Sequence, residues 1–335
     1  MSKRTGEIDA SRRPACERAT GGGAVSRRGL LAGMAAAPAA RAFAQQPTAP
    51  AMRGGGDRGG ATESAPSGLM AQVPAARIGK LKLSRVIFGG NPVGGWAHSR
   101  DLRYVSKLMT SYFTDTKVSE TLALAEECGI NTILTAPSVI PKIQYHWGKG
   151  GKIQFISDCG GGDLLEMVKK SIDAGAAACY IHGGVSDRLV SQGGFDQMAK
   201  AMELIRKNGL PAGIGAHDLK TVQGAAAKGL GPDFWMKTLH RTDYWSAGVQ
   251  PQRDNIWCTN PEETSAFMRE LKEPWIAFKT LAAGAIAPEI GFQYAFQSGA
   301  DFICVGMFDW QVVDNAKTAV RVLQRVKDRA RPWRA

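Results

Sequence analysis

The feature that most narrows the fold is an eightfold alternation. Short β-rich runs recur along the chain, with helical stretches between most of them. They read "SRVIFGG" (84–90), "NTILTA" (131–136), "IQFISD" (153–158), "AACYIH" (177–182), "PAGIGAH" (211–217), "DFWMKTLH" (233–240), "WIAFKTLA" (275–282) and "DFICVG" (301–306). The stretches "VSETLALAEECG", "DLLEMVKKSIDAG" and "FDQMAKAMELIRKNG" carry apolar residues at helical spacing, and each closes on a glycine suited to a left-handed cap. Eight β–α units in one domain predict a single closed (β/α)8 TIM barrel of the α/β class rather than an open doubly wound sheet. No GxGxxG follows a strand, so the dinucleotide fingerprint of the open fold is absent.

Two segments precede the barrel. "SRRGLLAGMAAAPAARAFA" (26–44) places Arg27 and Arg28 before a short apolar run and ends in Ala42-Phe43-Ala44, a small-x-small cleavage site. The run is too short for a comfortable membrane span, and the layout is that of a signal peptide, with paired arginines that resemble the twin-arginine type. Residues 1–44 are therefore expected to engage the twin-arginine export machinery, which carries folded proteins, and to place the mature protein in the periplasm or cell envelope. Residues 45–75 are rich in Gly, Pro, Ala and Ser and predict a flexible linker. Residues 76–335 form the expected barrel domain, with no second apolar run of membrane length.

The net charge of +12 owes much of its excess to the leader. The rest has no Lys/Arg runs interleaved with aromatics, so no nucleic-acid partner is expected. Six cysteines without a CxxC read as buried thiols rather than a disulfide scaffold.

A barrel places its chemistry at the carboxyl ends of its strands. Those ends read Asn91, Thr135, Asp158, His182, His217, Lys237 with His240, Lys279 and, past Gly306, Asp309. Three of the five histidines close consecutive strands, and His98 lies in the long loop after the first. Each has a structural reading too: a core histidine for His182, a neighbour of the true helix cap Asp218 for His217, a position beyond the pocket for His240. Taken together, Asp158, His182, His217 and His240 form a candidate acid–base cluster or divalent-metal ligand set, a constellation rather than a motif. Lys237 and Lys279 fit a stabiliser of an enolate or carboxylate, or a Schiff-base amine. The loop 92–116 reads as a lid over the mouth carrying His98, Arg100 and Asp101. Trp96, Trp147, Trp245, Trp257 and Trp310 read as a sugar-stacking wall or as packing. Asn91, Trp96 and His98 are thus the candidate substrate contacts.

Several strings carry a family likeness. "RIGKLKLSRVIFGGNPVGGW" resembles the opening hairpin and first strand of aldo/keto reductases. "ETLALAEECGINTILTA" resembles their next unit, "CYIHGG" their histidine-bearing fourth strand, and "ADFICVGMFDWQVVDN" their last strand and helix. The resemblance implies a TIM barrel, a bound NAD(P), and Gly306, Met307 and Asn315 as cofactor contacts. The reductase tetrad of Asp, Tyr, Lys and His is largely missing. Leu134 stands at the aspartate position, no tyrosine follows at the family spacing, Asp158 stands at the lysine position, and only His182 remains. "DFWMKT" and "FKTLAAGAI" are similar to two strands of deoxyribose-phosphate aldolases, which implies Lys237 as a Schiff-base lysine tuned by Lys279. The leading expectation is an exported enzyme on a reductase-like barrel, acting on a carbonyl-bearing or sugar-like small molecule. Metal-assisted isomerase, lyase or hydrolase chemistry is expected ahead of three alternatives: an oxidoreductase with tightly held NAD(P), a Schiff-base lyase, and a non-catalytic ligand-binding barrel.

Overall fold

A computed structural model describes residues 70–248 and 255–335. The expected signal peptide (1–44) and nearly all of the expected linker (45–75) lie outside the described residues. Eight strands close into a parallel barrel: β3 (Val86–Gly89), β4 (Thr132–Thr135), β5 (Gln154–Ser157), β6 (Ala178–Ile181), β7 (Ala212–Ala216), β8 (Phe234–Thr238), β9 (Trp275–Phe278) and β10 (Phe302–Gly306). Strand β10 pairs with β3 through Gly306 opposite Gly89, which closes the ring. The eight runs of the sequence are these eight strands. The run at 275–282 is longer than its strand, because Lys279, Ala282 and Ala283 take positive φ and turn the chain out of the sheet. An antiparallel hairpin, β1 (Ala75–Ile78) with β2 (Leu81–Ser84), precedes the barrel.

The two-residue period of a strand sorts side chains into two cores. Ile87, Leu134, Ile156, Ala178, Tyr180, Phe234, Met236, Ile276 and Phe302 point into the barrel, where Ile78 and Leu83 of the hairpin join them. Their neighbours, among them Phe88, Ile133, Phe155, Ile181, Trp235, Ala277 and Val305, point outward and pack under the helices. Glycines on β7 let the large inner residues in. A Cβ at Gly213 would come 2.5 Å from the Phe234 ring, and one at Gly215 would come 2.9 Å from Tyr180. The helices end as their sequences predict, with Gly129, Gly175 and Gly209 all left-handed. Five cysteines lie among the described residues, all free thiols. No helix among those residues is long and apolar enough to cross a membrane.

Candidate active site

The inward parity of β5, β6 and β7 runs past their ends to Asp158, His182 and His217, which brings the three to the mouth of the barrel. The His182 and His217 rings stand 6.1 Å apart, nearly edge to face. His182 caps the next helix (Gly183–Ser191), its Nδ1 accepting from Gly184 N at 3.2 Å, so the neutral ring carries its proton on Nε2. The Asp158 carboxylate accepts from Gly160 N at 2.8 Å. Burial pushes the Asp158 carboxyl above the usual range, against the opposing pull of His182 and the Gly160 amide.

His217 has a partner that sequence reasoning missed. Asp187, on the helix after β6, lies 2.9 Å from its Nδ1. The same carboxylate accepts from the amides of His217 and Asp218 and from the Thr221 hydroxyl at 2.7 Å. Burial pushes the Asp187 carboxyl up, but the bonds from His217 and Thr221 outweigh it and hold it below its ordinary range. Burial lowers the pKa of His217 despite the bond to Asp187, and the nearby Lys279 charge lowers it further. The ring is thus neutral near neutral pH, with its proton on the Asp187 side and Nε2 as the basic nitrogen.

Lys279 completes the cluster from the far side. By strand parity it would point outward like Ala277; its φ of 58° re-aims it. Its ammonium lies 2.7 Å from His98 Nε2 and 4.0 Å from the centre of the Trp257 ring. Trp257 also meets His98 at 5.3 Å and His217 at 4.9 Å, and Phe278 meets His217 at 5.4 Å. The loop after β3 therefore does reach the mouth, through His98, whose pKa is pushed down to about 4 by burial and by the Lys279 and His217 charges. Arg100, of the same loop, lies over the exposed Trp245 ring at 5.2 Å.

Two candidates are engaged elsewhere. Lys237 follows the outward parity of Trp235 and is 1% exposed. Its three N–H groups donate to His217 O at 2.9 Å, Thr238 O at 3.1 Å and Thr238 Oγ1 at 2.7 Å. An amine with every proton engaged and no path to solvent is not placed to form a Schiff base. His240 donates from Nδ1 to Arg241 O at 2.7 Å and accepts at Nε2 from both Trp257 N and Cys258 N at 2.9 Å. No nitrogen remains for a metal or a substrate proton.

The other expected contacts divide. Asn91 opens a short helix (Asn91–Gly94) on the rim, and Trp96, also on the rim, lies against Gly94. Trp147 donates to Ile153 O at 2.8 Å, just before β5 begins, at the end of the barrel opposite the mouth. Trp310 stacks on Phe308 at 4.5 Å. Only Trp257 of the expected wall touches the ionisable cluster.

Neither implied cofactor fits the residues present. Among the described residues, no group of three or more His, Cys, Asp or Glu side chains could hold a metal ion, and His240 is withdrawn from the expected set by its three hydrogen bonds. For a nicotinamide dinucleotide, Met307 is fully buried under the helices and Asn315 is buried in the last helix (Asp309–Arg325). The amino end of that helix carries Asp309, held by Tyr112 Oη at 2.6 Å and Lys117 Nζ at 3.3 Å. A phosphate arriving there would meet a carboxylate. Gly306 alone is exposed at its strand end, and a Cβ there would come 2.8 Å from the Pro92 ring.

No protein-family model and no curated protein matches the sequence. Solved structures do match the fold. One is described as a provisional aldo-keto reductase from Pseudomonas aeruginosa, 17% identical, covering 76% of this chain and 98% of that one, with a TM-score of 0.53. A second, of the same description and organism, is 16% identical, covers 76% of this chain and 97% of the other, and has a TM-score of 0.50. At such identities the likeness is one of fold. The chain is a single (β/α)8 barrel with aldo-keto-reductase-like structural neighbours.

Proposed function

We propose that this barrel is an acid–base enzyme acting on a small carbonyl-bearing or sugar-like molecule, by isomerisation, epimerisation or elimination. One observation carries the reading: a neutral histidine oriented by a carboxylate shares the mouth with a lysine cation. His217, held by Asp187, takes a proton from the carbon beside a carbonyl onto Nε2. The electron pair moves toward the carbonyl oxygen, where the Lys279 ammonium stabilises the developing negative charge. His182, with its proton on Nε2, and Asp158, biased toward its protonated form, stand on the other side of His217 as donors that return a proton. Trp257 and Phe278 flank His217 and keep water from the base.

Export by the twin-arginine route belongs to the same proposal and rests on residues 26–44. It suits a site whose proton chemistry runs on side chains, since a dissociable nicotinamide is not supplied outside the inner membrane.

The test is deuterium exchange. The purified protein is incubated in D2O with a panel of hydroxy-ketones, aldoses and 2-oxo acids, and exchange beside the carbonyl is followed by NMR. At least one compound should exchange, and the exchange should be lost in His217→Ala and in Lys279→Met. No exchange across the panel, together with a nicotinamide released on denaturation, would overturn the reading in favour of an oxidoreductase.

A further inference from the structure

The loop after β8 is bonded to itself in a way the proton chemistry does not use. His240 Nε2 accepts from two successive amides, Trp257 and Cys258, both at 2.9 Å. Its Nδ1 proton goes to Arg241 O at 2.7 Å, which fixes the Nδ1–H tautomer. Further contacts lie beside it. The Thr238 hydroxyl lies 3.2 Å from Trp257 O and 3.1 Å from His217 O. The Tyr244 hydroxyl donates to Asn255 O at 3.0 Å, and the buried Asn255 amide donates to Ser246 Oγ at 3.1 Å. These bonds fix the backbone at the root of one ring, Trp257, which lies 4.0 Å from the Lys279 ammonium and 4.9 Å from His217.

We propose that His240 is a positioning residue: it clamps the Trp257 backbone so that the indole stays against both the base and the cation, and Trp257 so held sets the size and shape of ligand reaching Lys279. The proposal deepens the acid–base reading above and rests on it for the role of Lys279. The physical ground is that two backbone N–H groups at the root of Trp257 share one buried acceptor. Removing that acceptor strands both donors, and the chain must move to satisfy them. The ring is further held by cation–π attraction to a partly desolvated ammonium, which fails once the ring leaves its seat. A residue that only filled space would be replaced equally well by any side chain of similar volume. A clamp requires an acceptor at the Nε2 position.

The experiment compares His240→Gln with His240→Leu in the full chain. The glutamine amide oxygen reaches the Nε2 position and accepts from both amides; leucine fills the volume and accepts nothing. The protein is labelled with 5-fluorotryptophan, and the Trp257 resonance is assigned with Trp257→Phe. The expected result is a Trp257 fluorine signal close to wild type in His240→Gln, and shifted or broadened in His240→Leu while the other tryptophan signals hold. On any compound that exchanges, His240→Leu should raise KM several-fold more than it lowers kcat, with rescue by glutamine. A Trp257 signal unchanged in the leucine variant overturns the clamp. Should His240→Leu fail to fold, the nitrogen-15 imidazole spectrum of the wild type decides. A neutral ring protonated on Nδ1 supports the clamp; a ring protonated on Nε2 overturns it. The fluorine and nitrogen readouts need no substrate, so the clamp can stand even where no compound exchanges, and the two failures remain distinct.

Discussion

The two ends of this barrel bury charge in opposite ways. At the amino end of β10, Asp301 is fully buried and every direction around it is filled. Its carboxylate takes the amides of Trp275 at 3.0 Å and Arg334 at 2.8 Å, with Arg331 at 3.4 Å and Arg329 at 3.7 Å. Arg85 bonds its carbonyl and lies 3.7 Å over the Trp333 ring, so the carboxyl-terminal tail is tied across that end. At the mouth, Asp158, His182 and His217 are half-buried, and the hydrogen bonds to their side chains come from the Gly160 amide, the Gly184 amide and Asp187. A charge whose hydrogen-bonding capacity is met by the fold serves the fold; one that keeps capacity in reserve is available to a ligand.

The sharpest way to break this comparison is at Asp301. Asp301→Ala leaves two buried arginines without their counter-ion and should cost about 3–5 kcal/mol of stability by urea denaturation. A small loss would mean that the amino-end network is no more structural than the mouth.

His217→Ala is the converse. Its expected effect is a loss of α-proton exchange of about 10²- to 10⁴-fold, with a stability change of about 1 kcal/mol. The pH dependence carries a sign. His217 acts as a neutral base with a pKa lowered by burial. Exchange should therefore hold its plateau below pH 6.5 and fall only as the ring protonates. A rate already falling above pH 7 would point to a different base.

Lys237 sharpens the comparison because it sits at the mouth end yet behaves like the amino end. Lys237→Met should lower stability by about 1–3 kcal/mol by removing three buried hydrogen bonds, to the His217 and Thr238 carbonyls and the Thr238 hydroxyl. Borohydride with substrate should leave Lys237 unlabelled, as peptide mapping would show.

Most of the fold was legible in the sequence because a (β/α)8 barrel is a local pattern repeated, and each unit carries its own strand, helix and capping glycine. The site was legible only in part. Asp158, His182 and His217 are named by their place at strand carboxyl ends alone, and the structure brings them together because they also lie on the inward parity of their strands. Lys237 misled because it stands at a strand end on the wrong parity: Phe234 and Met236 face in, so Lys237 faces out. That signal was present in "DFWMKT" and went unused. Asp187 was missed because nothing in "GGVSDRLVS" marks a helix residue that meets a histidine thirty residues later. Lys279 reaches the mouth only through a left-handed backbone that "FKTLAAG" does not announce. His240 carried a metal-like address but is occupied by amides of a loop that returns from seventeen residues away.

The effect confined to the narrowest window lies at the loop after β3 and separates the two ends by pH. His98 is held neutral in the folded chain with a pKa of about 4, against 6.5 when exposed. The unfolded chain therefore binds the extra proton first. Stability contributed by keeping His98 neutral is intact above about pH 6.5, is lost as pH falls toward 4, and declines no further below that. His98→Asn should flatten the dependence of the urea midpoint on pH across this window and leave the midpoint at pH 8 nearly unchanged. The other mouth histidines with lowered pKa, His217 and His240, retain part of the slope, so the change is a reduction rather than a loss. An unaltered slope in His98→Asn would show that the loop does not bury His98 against Lys279 in solution. The mouth would then be open where the structure shows it covered.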